Sequence, residues 1–317
     1  MKLGDLVVRK SYGGDVIFKI QQMEQSRAVI TGVDFRLLAD SPVTDLQRVT
    51  ETRPAVQVQS QLKVNESLRE LQRYRTWQRE RNQAQWTAQA ASPHEHTFFE
   101  MPGKVLHLDG DANYLRKSMM LYSEFRVPAE GFFVTESDMP QALYRLLPQV
   151  RPNIVVVTGH DGILKNLKEQ DISNLSSYKH SHHFVKAVKI ARDYEKNFDG
   201  LTVIAGACQS HFEALLQAGA NFASSPGRVL IHALDPSCIA IKSAFTSVKE
   251  TVDVIDVINN TISGIQGVGG IETRGSYRIG LPRMKPGGLA KPQNAAGSGG
   301  GTIPSTQQQA QNQTVNA

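Results

Sequence analysis

Three short, nearly continuous apolar runs constrain this chain more than any other feature: Val105-Leu106-His107-Leu108, Asn153-Ile154-Val155-Val156-Val157 and Leu201-Thr202-Val203-Ile204-Ala205. A strand with one wet face alternates apolar and polar residues, whereas a strand that is apolar throughout is covered on both faces, as in a parallel sheet between helical layers. The intervening segments supply those layers. Residues 112–125, 141–147, 183–198 and 248–258 read as helices, and Gly131-Phe132-Phe133-Val134, Phe222-Ala223 and Val229-Leu230-Ile231-His232-Ala233 read as further strands. The alternation predicts an α/β domain with a mainly parallel sheet flanked by helices, spanning residues 98–282.

The rest of the chain reads differently. Residues 1–52 carry short alternating strands separated by Gly and Asp turns, such as Val16-Ile17-Phe18-Lys19-Ile20 after Tyr12-Gly13-Gly14-Asp15. That pattern predicts a small SH3-like β-barrel, a docking module without chemistry of its own. Residues 53–97 are rich in Gln, Arg and Glu, with Leu62, Leu68, Leu71 and Tyr74 at near-helical spacing, and read as a polar helical connector. Its Trp77 and Trp86 are expected to pack on a neighbouring domain. Residues 283–317 are dominated by Gly, Pro, Gln, Ser and Asn, too polar to offset the entropy of ordering, so a disordered low-complexity tail is expected.

Composition narrows the function classes. A net charge of +5 spread over 317 residues is a weak footprint for nucleic-acid binding. Only two cysteines, Cys208 and Cys238, argue against a disulfide framework. No signal pattern opens the sequence, and no apolar run approaches the roughly 18 residues of a membrane span, so a cytoplasmic product is expected.

In parallel α/β sheets functional groups gather at the carboxyl ends of the strands. One run delivers His160, in Val157-Thr-Gly-His-Asp-Gly162, and another delivers Cys208, in Ala205-Gly-Ala-Cys-Gln-Ser210, about 50 residues later. A right-handed crossover between the two strands would bring both residues to one edge. A thiol near its ordinary pKa is mostly protonated at neutral pH, so a nucleophilic cysteine needs a neighbouring imidazole to take its proton. Gly162 and Cys208 are candidates for the backbone N–H groups of an oxyanion hole. The plainer alternative is a small buried core cysteine.

Other groups carry less. Cys238 sits among apolar residues and reads as structural. His180, His182 and His183 lack a second ligand set, so no metal is expected. His211 follows Cys208 by three residues and ranks below His160 as the base. Asp109-Gly-Asp111 has the spacing of a phosphotransferase nucleophile, but the residues that should follow it are absent.

A strand followed by His and a strand followed by Ala-Cys resembles the caspase, legumain, gingipain and clostripain group of cysteine peptidases, except that Asp161 stands where a Gly usually follows the His. Five segments resemble more closely the YabG family of sporulation proteases: Tyr12-Gly-Gly-Asp-Val-Ile-Phe-Lys-Ile20, Val105-Leu-His-Leu-Asp-Gly-Asp111, Val157-Thr-Gly-His-Asp-Gly162, Gly206-Ala-Cys-Gln-Ser-His-Phe-Glu213 and Ala223-Ser-Ser-Pro-Gly-Arg228. The resemblance runs from Met1 to about Pro282. It implies a caspase-like fold over 98–282 and a cysteine endopeptidase without cofactor, with His160 and Cys208 as its catalytic pair. It further implies a protease made in the mother cell of a sporulating bacterium and associated with the forming coat. Its substrates would be spore coat and coat-morphogenetic proteins and pro-forms of germination proteins, cut after Arg. A carboxylate at the sheet edge would then hold the substrate guanidinium; Asp109, Asp161 and Asp235 all qualify by position. Self-cleavage would fall at arginines such as Arg274, Arg278 and Arg283. The alternative is a non-enzymatic spore-coat scaffold that only docks partners.

Overall fold

The computed structural model describes residues 1–49, 55–89, 99–164 and 169–280. Period-two alternation in the amino-terminal segment produces a five-stranded antiparallel sheet: β1 (Leu6–Arg9), β2 (Phe18–Met23), β3 (Arg27–Gly32), β4 (Leu38–Pro42) and β5 (Leu46–Arg48), in the order β4-β3-β2-β1-β5. Val7, Phe18, Ile20, Ala28, Ile30 and Leu46 form its buried face. Between β3 and β4, residues 33–37 leave the sheet. They turn so tightly that a Cβ on Gly32 would stand 2.3 Å from the Phe35 carbonyl oxygen, so only glycine fits there.

Helix α1 (Ala55–Gln89) follows. It does more than connect: Val64 and Leu71 are buried in the main core, while Leu62 remains exposed. Tyr74 bonds the Thr246 hydroxyl at 2.9 Å, and Gln78 donates to Glu250 at 2.8 Å. Trp77 stays half exposed beneath the Arg81 guanidinium. The side chain of Trp86 and the tail beyond residue 280 lie outside the described residues.

The second sheet is built from β7 (Val105–Asp109), β8 (Ala129–Phe133), β9 (Ile154–Thr158), β10 (Thr202–Ala205), β11 (Phe222–Ser224) and β13 (Val268–Gly270), ordered β13-β11-β10-β9-β7-β8. The five strands from β7 to β11 run parallel, and β13 joins antiparallel to β11. Its apolar runs are explained by two separate cores. Leu106, Leu108, Val155, Val157 and Val203 face α3 (Met139–Val150), α4 (Ser181–Tyr194) and α5 (Phe212–Gln217). Val105, Ile154, Val156, Ile204 and Phe222 face α1, α2 (Ala112–Phe125), α6 (Asp235–Phe245) and α7 (Val254–Asn259). The remaining elements are α8 (Gly264–Gly267) and two short antiparallel pairs, β6 (Phe99–Met101) with β15 (Arg278–Gly280) and β12 (Thr251–Val252) with β14 (Thr273–Arg274).

The structure departs from the sequence pattern in three places. Residues 229–233 are not a strand of the sheet; they form one isolated bridge, from His232 to Phe35 of the amino-terminal loop. Helix α6 lacks an amphipathic signature because every one of its residues is buried. Residues 248–258 divide between β12 and α7, the helix starting only where the Asp253 side chain accepts the Asp256 N–H at 2.8 Å. Because α1 belongs to the core, Leu71→Ala should lower the stability of the whole folded unit by about 2–5 kcal/mol. Denaturant unfolding followed by circular dichroism tests this, and a smaller change would mean that α1 is a detachable linker.

Candidate active site

Strands β9 and β10 are adjacent and parallel, with Val157 opposite Ala205, so the residues that follow them emerge at one edge. Thr158 donates its hydroxyl to the Gly206 carbonyl at 2.8 Å and ties the two strand ends together. Gly206 then turns the chain at φ 108°, where a Cβ would meet Leu215 at 2.8 Å and the Ser224 carbonyl at 3.1 Å. His160 follows β9 and Cys208 follows β10, as the sequence pattern predicted.

Three groups that the sequence reading did not assign surround His160. Glu136, at the start of the turn that precedes α3, accepts the His160 backbone N–H at 2.7 Å and lies 3.5 Å from Nδ1. Burial raises the Glu136 pKa, but hydrogen bonds from His160 outweigh it and leave the carboxyl below its usual value. Asp111 caps α2 by accepting from the Asn113 and Tyr114 amides, and its other oxygen lies 3.5 Å from His160 Nε2. The Tyr114 ring centre is 5.8 Å from the imidazole. Nε2 itself has no hydrogen-bond partner. The imidazole thus stands between two carboxylates at equal distance, Glu136 at Nδ1 and Asp111 at Nε2, groups that can orient the ring and stabilise its charged form.

Cys208 is buried. Its sulfur accepts the Ile231 N–H at 3.1 Å and lies 3.8 Å from the Ile231 carbonyl. Burial pushes its thiol up to about 12, despite the favourable Ile231 amide and the nearby Arg36. The thiol is therefore neutral in this closed arrangement. Cys238, inside α6, is equally buried and its thiol is also pushed well up by burial.

Asp161 joins the two loops. It accepts hydrogen bonds from the Gly162 and His180 amides at 2.9 and 2.8 Å, from Ser210 Oγ at 2.9 Å and from the Ser181 hydroxyl. Ser210 Oγ in turn accepts the Ala207 N–H at 2.9 Å. These contacts bear on two expectations: Asp161 is engaged by its own loops in this structure, and the Gly162 N–H points at Asp161. Asp235 is likewise committed: buried, with its carboxyl pushed up to about 6 chiefly by burial, it accepts from the His232 and Ile262 amides at 3.2 and 2.7 Å. His211 caps α5 and places Nε2 2.9 Å from the Ser173 carbonyl oxygen.

Asp109, the third candidate, is also occupied. Arg36, from the amino-terminal loop, forms a bidentate pair with it at 3.0 and 2.9 Å and donates to the Ala233 carbonyl at 3.0 Å. Both side chains are fully buried. Burial alone would raise Asp109, but Arg36 and then His107 bring it down to about 2. Beside this contact a cleft of about 800 Å³ is lined by Phe18, Leu37, His160, Gly162, Gln209 and Leu230, among others. Among the described residues no cluster of three or more His, Cys, Asp or Glu side chains could hold a metal, and no helix is long and apolar enough to cross a membrane. Arg274 and Arg278 lie in β14 and β15; Arg283 lies outside the described residues.

An imidazole and a thiol at neighbouring strand ends, beside a cleft, are the equipment of a hydrolytic enzyme. The comparisons with known proteins supply the class and then the family. The model of YabG peptidase U57 matches residues 2–282. Over 286 residues the chain is 44% identical to the sporulation-specific protease YabG of Bacillus subtilis (strain 168), covering 89% of this chain and 98% of that protein. No solved structure matches. The chain belongs to the YabG peptidase U57 family, and as a peptidase it acts on protein substrates.

Because Asp161 clamps the loops carrying His160 and Cys208, Asp161→Ala should reduce kcat at least about tenfold while leaving the circular dichroism spectrum unchanged. Glu136→Gln keeps a hydrogen-bond acceptor but removes the charge that would stabilise an imidazolium. It should lower kcat more than it changes KM. Wild-type kcat in either variant would contradict these roles.

Proposed function

We propose that this protein is a cysteine endopeptidase of sporulating cells, with Cys208 as nucleophile and His160 as acid and base. The observation that carries the reading is the His160 ring, held between the Glu136 and Asp111 carboxylates at the strand end next to that of Cys208. His160 would take the thiol proton as sulfur attacks the scissile carbonyl. It would return the proton to the leaving amine, giving a thioester that water hydrolyses to the carboxylic acid and free thiol. A caspase-like arrangement of the parallel sheet fits this reading, as does an SH3-like form for the amino-terminal sheet. The name of the Bacillus subtilis relative supports action during sporulation. Spore coat, coat-morphogenetic and pro-germination proteins are the proposed substrates, met at the forming coat in the mother cell, with cleavage after arginine.

The second reading, a coat scaffold, is favoured by one observation: the Cys208 thiol is buried, which pushes it up to about 12. Cleavage of an arginine-containing coat protein by wild type, Cys208→Ala, His160→Ala and Cys238→Ala separates the two. Loss of at least about 10³-fold in the first two variants, with Cys238→Ala retaining activity, is the expected result. Equal cleavage by all four proteins would overturn the assignment.

A further inference from the structure

The most unusual contact in the molecule is the one between the amino-terminal loop and the Cys208 end of the sheet. Phe35 pairs with His232 as an isolated antiparallel bridge. The Arg36 N–H donates to the Ile231 carbonyl at 3.0 Å, and the Ala233 N–H donates to the Asp34 carbonyl at 2.7 Å. A short extended segment is thus added, strand to strand, to residues 231–233, the way a folded protein binds an extended peptide. Ile231 is also the residue whose N–H meets the Cys208 sulfur at 3.1 Å. Ile231 therefore touches the thiol with its amide and the Arg36 main chain with its carbonyl.

The side chain completes the likeness to a bound ligand. Arg36 enters a closed pocket with a carboxylate at its end, Asp109, a carbonyl on one side, Ala233, and the Tyr114 ring 5.1 Å away. A planar fork meeting a carboxylate with two hydrogen bonds is recognition that arginine satisfies and lysine does not. The cleft beside His160 is lined by Leu37 and Leu230, the chain neighbours of Arg36 and Ile231.

We propose that residues 34–36 are a built-in substrate analogue. They close the Cys208 site in the resting protein, and an arginine-containing substrate must displace them to pair with residues 231–233 and place its own guanidinium on Asp109. The proposal rests on the cysteine-peptidase reading above and adds to it the specificity residue and the element that restrains activity. Beyond Arg36 the chain leaves the peptide path at once: the Leu37 N–H returns to the Phe35 carbonyl at 2.8 Å, and the Leu37 carbonyl accepts the Gly32 N–H at 2.7 Å. The Tyr114 hydroxyl holds the Gly32 and Phe35 carbonyls at 2.5 and 2.6 Å. That turn, in place of an extended continuation across the site, is what makes the loop an occupant rather than a substrate. Exchange is feasible because one guanidinium replaces another, so Asp109 is paired both before and after the substrate binds. The apparent Kd for substrate is the intrinsic Kd divided by the fraction of molecules in which the loop is displaced.

Two variants test this. In Arg36→Ala, iodoacetamide should label Cys208 at least about tenfold faster than in wild type, with Cys238 labelling unchanged, and KM for an arginine-containing peptide should fall; Asp109→Asn in addition relieves the unpaired carboxylate if the single variant does not fold. In Phe35→Cys with His232→Cys, a disulfide across the bridge pins the loop. The oxidised protein should neither label at Cys208 nor cut, reduction should restore both, and wild type taken through the same oxidation and reduction controls for Cys208 itself. Unchanged Cys208 labelling in a folded Arg36→Ala protein, or full cleavage by the pinned protein, overturns the proposal. Labelling reads the closure without any cleavage, so its result stands even if Cys208→Ala shows that the thiol is not the nucleophile.

Discussion

The buried pair of Arg36 and Asp109 is the contact on which the two sheets' arrangement depends. A guanidinium and a carboxylate removed wholly from water each lose several kcal/mol of hydration, and they recover it only where the geometry is good and further hydrogen bonds engage their remaining polar atoms. Here the fork is bidentate, Ala233 takes a further N–H, and Asp109 also accepts the Asp111 amide at 3.0 Å, while Arg36 Nε is buried without a hydrogen-bond partner. Removing one partner should cost about 3–5 kcal/mol. Asp109, held down to about 2, contributes stability that is fully present above its usual carboxylate range. The contribution fades as pH falls from about 4 toward 2. The pair thus acts as a latch: strong as long as both members are present, and replaceable by a second guanidinium.

Around that latch, carboxylates divide the work of the site by position. Asp109 ends β7, Asp111 starts α2, Glu136 follows β8 and Asp161 follows β9. Parallel strands in register force these residues to one edge, and each then takes a different partner. Glu136 orients His160, Asp161 ties the His160 loop to the Cys208 loop, and Asp109 faces the amino-terminal loop. The arrangement follows from the topology, since the carboxyl ends of neighbouring parallel strands are the one place where loops so distant in sequence converge.

How much of this is readable in the sequence follows from the range of each signal. The parallel sheet is legible because strands covered on both faces must be apolar throughout, and both candidate residues stand directly after such strands. Helix α6 is not legible because it is buried on all sides and has no polar face for a period to show. Residues 229–233 look like a strand because they are apolar, yet the main-chain hydrogen bonds of Ile231 and Ala233 go to Cys208 and to the loop at 34–36, a pairing separated by about 200 residues of sequence. Glu136 follows a strand as His160 does, which was the available signal, but an isolated Glu in Val134-Thr-Glu-Ser-Asp138 reads as a turn residue. Arg36 gives no sign at all: nothing local distinguishes it from the solvated arginines nearby, and only the three-dimensional meeting of the loop with Asp109 does.

Peptide and loop compete for one strand edge. Amide hydrogen exchange at Arg36 and Ala233 reads that competition directly, in the free protein and after addition of a peptide aldehyde ending in arginine, which would form a hemithioacetal with Cys208. The account predicts that Arg36 loses its protection when the peptide binds while Ala233 keeps it, because the peptide takes over the pairing. If the peptide binds and the Arg36 amide stays as protected as before, the loop is a fixed part of the structure and the claim is wrong.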